Sequence, residues 1–188
     1  DKRTSFKSFK ILKLKKIIVK SGILNKKGNK IYKSYIFNNR FKLPYTTGKL
    51  AISKDNFIYS KKKSRITNKY SDLITHLLRY RNDSILVSAK TVNIDNPKLN
   101  CRINGLSRFS PKRIILDRNL TIKKNSYIYL TSKNSNTIIF YNRASKSKIN
   151  LLKNKGIKLI KFPTNNKNLF DLKSVLKKIF SLGCRNLL

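Results

Sequence analysis

The stretch that decides the fold is SILVSAKTVNIDNPKLNCR, which runs from Ser84 to Arg102. It opens with the apolar, partly β-branched run ILV at 85–87, which predicts a short buried strand. The chain then turns polar, and Pro97 cannot continue a helix and favours an extended conformation at Asn96. Open α/β sheets build ligand sites in loops that follow buried strands. We therefore expect the functional site in this polar loop.

The segments around this stretch alternate between strand and helix patterns. Strands are predicted at 17–19, 45–53, 57–59, 85–88, 113–117, 127–130, 137–141 and 157–162, with the beginning of another at 185–188. Helices are predicted at 5–14, 25–38, 69–81 and 170–182, with a helical turn at 149–153. Such alternation is typical of an α/β fold whose mostly parallel sheet is flanked by helices.

The composition is strongly basic, with 45 Lys and Arg against 7 Asp and Glu and a formal net charge of +38. A field of this sign attracts polyanions, so a nucleic-acid-binding module is one hypothesis. However, lysine far outnumbers arginine, accompanies many Asn and Ile residues, and is spread over the whole chain. An A+T-rich coding sequence explains this pattern better, and we expect no specific nucleic-acid partner.

The sequence gives little support for a metal site, a disulfide or a membrane-spanning segment. Cys101 and Cys184 lie far apart without metal-ligand spacing, which indicates two free thiols in a reducing cytoplasm. His76 has no histidine or cysteine nearby and is interpreted as a packed or surface residue of a helix. No apolar run approaches the ~20 residues that span a bilayer. We therefore expect a cytoplasmic protein without a metal site or a membrane partner.

The standard nucleotide-binding and hydrolase motifs are missing from the sequence. It contains neither the GxGxxG nor the P-loop glycine pattern, and no Ser/His/Asp or Cys/His set. Two acids follow predicted strands: Asp95 is interpreted as a site residue and Asp117 as a turn former. Arg79 and Arg102 are candidates for a clamp that binds an anion through paired guanidinium groups.

Five segments together resemble one family, the reductase half of the bifunctional deaminase/reductase of riboflavin biosynthesis. They are KLAIS at 49–53, SRIT at 64–67, LLRYRND at 77–83, the stretch 84–102 and PKRIILDRNL at 111–120. The most specific match is the family pattern T-V-x-x-D-x-P-x-L-x-x-R, here Thr91 to Arg102. The resemblance assigns 43–188 to an incomplete reductase domain. Residues 1–42, with DKRTS and IIVKSGIL, resemble the tail of the deaminase domain and its linker.

This resemblance implies a dihydrofolate-reductase-like α/β fold, a homodimer and NADPH as the hydride donor. The implied reaction reduces the ribosyl group of 5-amino-6-(5-phosphoribosylamino)uracil, a small phosphorylated pyrimidine, to the ribityl form. The implied cofactor-binding residues are Ala51, Arg65, Thr91, Asp95 and Arg118. The implied substrate-binding residues are Lys49, Ser64, Arg79, Leu99 and Arg102. The deaminase motifs H-A-E and P-C-x-x-C are absent, so zinc is expected only in an upstream deaminase domain.

The sequence departs from the family pattern at three places. Arg65 stands where the family has the tryptophan of S-x-W-I-T, either as a replacement or because one residue is deleted. The same gap decides whether Lys63 or Ser64 takes the place of the family serine. Arg118 stands where the family often has a small hydroxyl residue. The family segment V-E-G-G/A-P is expected after Leu188, which predicts a C-terminal truncation and leaves open a family member without activity.

Overall fold

The computed structural model describes residues 7–58 and 66–188. The helices are α1 (Lys7–Leu14), α2 (Asn25–Ile31), α3 (Lys33–Phe41), α4 (Lys69–Arg81), α5 (Ala89–Asp95), α6 (Tyr127–Leu130), α7 (Lys146–Asn154) and α8 (Leu172–Ser181). The strands are β1 (Tyr45–Thr46), β2 (Ser84–Ser88), β3 (Lys112–Leu116), β4 (Thr137–Tyr141), β5 (Lys158–Lys161) and β6 (Asn186–Leu187).

The strands form one six-stranded sheet in the order β1-β6-β2-β3-β4-β5. Every strand pair in the described part of the chain is parallel, and β2 pairs with β3 from Ser84↔Lys112 to Ser88↔Leu116. The carboxyl ends of all strands therefore lie at the same edge of the sheet. This architecture confirms the predicted α/β class with a mostly parallel sheet.

Two apolar cores cover the two faces of the sheet, because successive side chains of a strand point to opposite sides. The first core, on the side of α5, α6 and α7, includes Ile85, Ala89, Val92, Leu99, Ile115, Ile128, Ile139 and Leu152. The second core, on the side of α8, includes Ile114, Ile138, Phe140, Val175, Ile179 and Leu187. Adjacent residues of β3 and β4 thus alternate between the two cores, so apolar side chains cover both faces of the sheet.

The connection from β5 to β6 explains why α8 lies on the opposite face from α5, α6 and α7. The chain steps along the sheet from β2 to β5 and then returns past the whole sheet to place β6 between β1 and β2. Crossovers between parallel strands are right-handed, so reversing the direction of travel moves the helix to the other face. Within the described ranges, no helix combines the length and apolarity needed to cross a membrane.

The strand prediction at 127–130 is wrong, because these residues form α6. Ser126 begins this helix, and its hydroxyl accepts the backbone N–H of Tyr129 at 3.3 Å. Ile128 and its neighbour Tyr129 are both buried in the first core, whereas neighbours in a strand would face opposite sides. A short apolar run fits either structure, and here the serine cap decides for the helix.

Predictions in the N-terminal quarter are partly wrong. Residues 17–19 form no strand, and Ile18 is 91% exposed, so these apolar side chains have no sheet to join. The predicted helix over 25–38 is interrupted at Tyr32, which separates α2 from α3. The strand predicted over 45–53 contains only β1, and residues 57–58 form no strand, while Tyr59 lies outside the described residues.

Several element bounds shift by a few residues from their predictions. The helical turn predicted at 149–153 is the complete helix α7, and α8 is shorter than predicted at both ends. The predicted helix at 5–14 corresponds to α1, with residues 5 and 6 outside the described range. The predicted helix 69–81 matches α4, and the beginning of a strand predicted at 185–188 contains β6.

Asp117 closes the turn after β3, as the sequence predicts. The side chain is only 2% exposed, and its two carboxylate oxygens accept the Ile122 N–H and the Thr121 hydroxyl, each at 2.9 Å. The carboxylate is therefore occupied by one backbone N–H and one side-chain hydroxyl of the same turn, which makes Asp117 a structural residue.

Replacing Asp117 with alanine should lower the free energy of unfolding by about 2–3 kcal/mol, because the buried Ile122 N–H would lose its acceptor. Asp117→Asn keeps an oxygen for this N–H and should cost clearly less. Urea unfolding of both variants against the parent protein measures the difference. Equal losses for alanine and asparagine would contradict the hydrogen-bond explanation.

Candidate functional site

The polar stretch after β2 begins as a helix, which corrects the prediction of a loop directly after this strand. Ser88 ends β2, and its hydroxyl accepts the backbone N–H of Thr91 at 3.2 Å, which caps α5. Ala89 and Val92, three residues apart, bury their side chains in the first core. Because residues four apart share one side of a helix, Thr91 and Asp95 point to the same side. Thr91 is half-buried and Asp95 is exposed.

The end of α5 is fixed to the connection between β3 and α6 by two asparagines. Asn93 donates to the Thr121 carbonyl at 3.0 Å and accepts the Lys123 N–H at 3.1 Å. The extended conformation predicted for Asn96 is wrong, because this residue adopts a left-handed conformation (φ 42°) that ends α5; its side-chain oxygen accepts the Tyr127 N–H at 2.7 Å. Asparagine tolerates this conformation better than most residues. Both residues were missed in the sequence, although a polar residue before Pro97 is a signal for a turn.

A second cluster lies where α4 meets residues 100–102. Arg79 donates from Nη1 to the Asn100 carbonyl at 3.1 Å, and His76 accepts the backbone N–H of Arg102 at Nδ1, also at 3.1 Å. Arg102 Nη1 lies 3.5 Å from Asn100 Oδ1, at the limit of a hydrogen bond. The two guanidinium groups predicted as an anion clamp thus share Asn100 as a neighbour. Asn100 and His76 were not predicted as site residues.

The donor atoms of Arg79 are not all used. Among the described residues, Arg79 Nε is buried without a hydrogen-bond partner. Burial lowers the pKa of Arg79, and the nearby Arg102 lowers it further, yet guanidinium groups stay charged at neutral pH. Arg113 makes the contrast: its Nε, Nη1 and Nη2 all donate to Thr137 or Thr131 at 2.9–3.1 Å. Arg79 therefore keeps a positive charge that suits an anionic ligand, although its Nε is enclosed by the protein.

His76 is buried, with 9% of its surface exposed. Burial lowers its pKa below the ordinary value of 6.5, and the positive charges of Arg102 and Arg79 add to this effect against smaller opposing contributions from Asn100 and Asp72. The neutral imidazole is therefore favoured near pH 7, and its Nδ1 lone pair accepts the Arg102 N–H. This residue is packed, as the sequence predicted, but it also contacts the backbone of a predicted site residue.

Leu99 combines a buried side chain with an unusual backbone. Its φ is 53°, a region that leucine rarely adopts, and its side chain is 4% exposed in the first core. Backbone strain of this kind persists only where the surrounding structure enforces it, and it is common at functional sites. Because its side chain is buried, any contact of Leu99 with a ligand would have to come from its backbone.

The remaining predicted site residues lie elsewhere. Lys49 is exposed and Ala51 half-buried in the irregular segment after β1. Arg118 follows β3, and its Nη1 donates to the Asn168 carbonyl at 2.7 Å, which joins two loops at the carboxyl edge of the sheet. Ser64, Arg65 and Lys63 lie outside the described residues. The structure thus brings Arg79 and Arg102 together and Thr91 and Asp95 together, and it ties Arg118 to the loop before α8.

The lowered pKa of His76 predicts a pH dependence of stability. In the unfolded chain the imidazole titrates near 6.5, so as pH falls below this value the unfolded state takes up a proton that the folded state resists. The free energy of unfolding should fall until pH passes the lower pKa of the folded state. Urea unfolding at pH 7.5 and 5.5 should show a larger loss for the parent than for His76→Asn. Equal losses would contradict a neutral buried imidazole.

The sequence matches a known family over most of its length. A family model described as the RibD C-terminal domain matches residues 44–188. The riboflavin biosynthesis protein RibD of Bacillus amyloliquefaciens is 31% identical over 166 residues, which cover 85% of this chain and 43% of that protein. RibD of Chlamydia trachomatis is 25% identical over 192 residues, which cover 100% of this chain and 50% of that protein. The chain thus spans about half the length of these relatives.

The 2,5-diamino-6-ribosylamino-4(3H)-pyrimidinone 5′-phosphate reductase of Kluyveromyces marxianus gives a shorter match. It is 38% identical over 85 residues, which cover 40% of this chain and 34% of that protein. Among solved structures, Acinetobacter baumannii RibD has a TM-score of 0.75 at 20% identity and matches 97% of this chain and 49% of that one. A deaminase/reductase of Thermotoga maritima has a TM-score of 0.70 at 23% identity, covering 91% and 45%. These structures confirm the dihydrofolate-reductase-like α/β fold. On the family match over residues 44–188, the chain belongs to the RibD C-terminal domain family.

Proposed function

We propose that the protein is an NADPH-dependent reductase that converts the ribosyl group of 5-amino-6-(5-phosphoribosylamino)uracil into the ribityl group. The family and the reductase names of the relatives support this class of reaction. The observation that carries the proposal is the pair Arg79 and Arg102, which meet at Asn100 and bring two positive charges together. The proposed substrate has one strongly anionic group, its phosphate.

The phosphate is the part of the substrate that this pair fits. Guanidinium groups bind phosphate oxygens through two parallel N–H bonds, which gives both charge and orientation. Arg79 is held on α4 and Arg102 extends from the adjoining segment with an exposed side chain. An anion between them would offset the cost of burying the Arg79 cation. The backbone of Leu99 and the side chains of Lys49 and Ser64 complete the proposed substrate contacts.

The proposed cofactor lies against α5. Thr91 offers a hydroxyl and Asp95 a carboxylate on the same side of this helix, and such groups hydrogen-bond the ribose hydroxyls or the carboxamide of a nicotinamide nucleotide. Ala51, Arg65 and Arg118 are the further proposed contacts. When bound, the nucleotide supplies the hydride, and the chain contributes binding and orientation. The fixed ends of α5 suit this task, because positioning is what the protein adds to such a reaction.

Three broader features belong to the same proposal. Residues 1–42 are the tail of a deaminase domain with its linker, and 43–188 belong to the reductase domain. The active protein is a homodimer in the cytoplasm, and any zinc is held by a deaminase domain. Each follows from the resemblance of the sequence to the bifunctional family, and the length of the relatives agrees with a larger protein.

Two conservative substitutions separate the proposed roles. Arg102→Lys keeps the charge but loses the paired N–H donors, so the KM for the phosphoribosylaminouracil should rise about tenfold or more while the KM for NADPH stays unchanged. Asp95→Asn should raise the KM for NADPH instead. The rate of NADPH oxidation at 340 nm, measured against both concentrations, gives each constant.

The matched control for Arg102 is Arg81→Lys, at an exposed position in the last turn of α4, which should change neither constant. Full activity in both the Arg102 and the Asp95 variants would refute the site. Failure of the full-length protein, including any segment that follows Leu188, to oxidise NADPH with this substrate would refute the function.

Nucleic-acid binding is the second candidate, favoured by the net charge of +38. Binding that depends on scattered lysines is electrostatic and falls steeply with salt. Affinity for a mixed-sequence RNA should therefore drop by orders of magnitude between about 50 and 200 mM salt. Fluorescence anisotropy across this range measures the slope. Tight binding that persists at 200 mM, with a preference for one sequence, would favour a nucleic-acid function over the compositional explanation.

A further inference from the structure

We propose that His76 is a positioning residue for the substrate phosphate: its imidazole holds the backbone of Arg102 and thereby fixes the guanidinium group relative to Arg79. This inference rests on the proposed function and deepens it. The two arginines supply the charge, whereas His76 supplies the geometry from within the protein.

The segment 100–102 is held at each of its three residues by a different group. Arg79 Nη1 bonds the Asn100 carbonyl, the Ser110 hydroxyl accepts the Cys101 N–H at 3.1 Å, and His76 Nδ1 accepts the Arg102 N–H. The Cys101 side chain is fully buried between the two flanking contacts. The backbone from which the Arg102 side chain extends is therefore fixed, although this segment has no regular secondary structure.

The helix α4 gives His76 and Arg79 a common direction. Residues three apart lie on the same face of a helix, so the imidazole and the guanidinium reach the same segment. His76 bonds the residue that carries one arginine of the clamp, and Arg79 is the other arginine. A displacement of this segment by 1 Å would change the spacing of the two charges, and binding groups lose much of their effect when misplaced by that distance.

Burial and the neighbouring arginines keep the imidazole in the form that this contact needs. Arg79 and Asp72 face His76 from its own helix, and Arg102 faces it from the segment 100–102. A protonated imidazole has donors at both nitrogens and could not accept the Arg102 N–H. Burial opposes protonation most strongly and the two guanidinium groups add to it, so the arginines that would bind the phosphate also help to maintain the acceptor that positions Arg102.

The test compares His76→Leu, which removes the acceptor, with His76→Asn, whose side-chain oxygen lies close to the place of Nδ1. The leucine variant should raise the KM for the phosphoribosylaminouracil roughly tenfold or more, since a buried N–H loses its partner. The KM for NADPH should stay within about twofold, and asparagine should restore most of the substrate affinity. An unchanged substrate KM in the leucine variant would overturn the proposal. So would an equal rise of both KM values that asparagine does not rescue, because that pattern indicates a purely structural role.

Two further measurements separate this proposal from the proposed function. His76 is the one histidine of the sequence, so ¹⁵N NMR reports its tautomer directly, and a proton on Nε2 with Nδ1 unprotonated is expected near pH 7. Calorimetric titration with ribose 5-phosphate then measures phosphate binding without catalysis. Weaker binding of ribose 5-phosphate by the leucine variant, with recovery in the asparagine variant, supports the positioning role. This holds even if the parent does not oxidise NADPH, because that result would refute only the reductase function. Equal ribose 5-phosphate affinity in all three proteins, or a proton on Nδ1, overturns the positioning role.

Discussion

The carboxylate of Asp83 joins parts of the sheet that are about a hundred residues apart in the chain. Its Oδ2 accepts the backbone N–H groups of Arg185 and Asn186 at 2.6 and 2.7 Å, where β6 begins. The backbone carbonyl of Asp83 accepts the Lys112 N–H at 2.9 Å. Asp83 precedes β2 directly, so this one residue aligns the starts of three neighbouring strands. β2 thereby takes an inner position, with β6 on one side and β3 on the other, and both cores are built against it.

The candidate site depends on that inner strand. Because β2 is fixed at its start, the cap at Ser88 and the helix α5 leave the sheet at a defined point. The asparagines of α5 then attach its far end to the connection after β3, and the chain continues into the strained backbone of Leu99. A rigid sheet therefore supports Thr91 and Asp95, and the positive φ at Leu99 directs the chain toward α4. The hydrogen bonds of Arg79 and His76 hold the segment 100–102 against α4.

The sequence predicted the elements whose pattern is strong and failed where local and distant interactions compete. The helical spacing of Leu73, Leu77 and Tyr80 in α4 and the apolar runs of β3 and β4 each fit one type of element. In contrast, the four residues of α6 fit two, and the serine cap and the buried neighbours decided between them. The runs at 17–19 and 45–53 fit the strand pattern, but a strand forms only beside a partner strand. Local periodicity does not show whether such a partner strand exists.

The site residues likewise divide into those that the sequence predicts and those that it misses. Arg79 and Arg102 were predicted because a charged group that binds a ligand belongs to a motif of fixed spacing. His76 and Asn100 were missed as members of the site because His76 accepts a backbone N–H and Asn100 accepts from Arg79 through its own backbone carbonyl, contacts that any of several residue types can make. The partial burial of Arg79, beside the exposed Arg102, then distinguishes this pair from the exposed lysines of a chain with a net charge of +38. Salt screens exposed lysines over about 10 Å at 0.1 M, whereas partly buried charges are screened much less. A phosphate held between Arg79 and Arg102 would therefore be bound at ionic strengths that remove polyanions from the lysine surface, and this difference makes a specific anion site possible on so basic a protein.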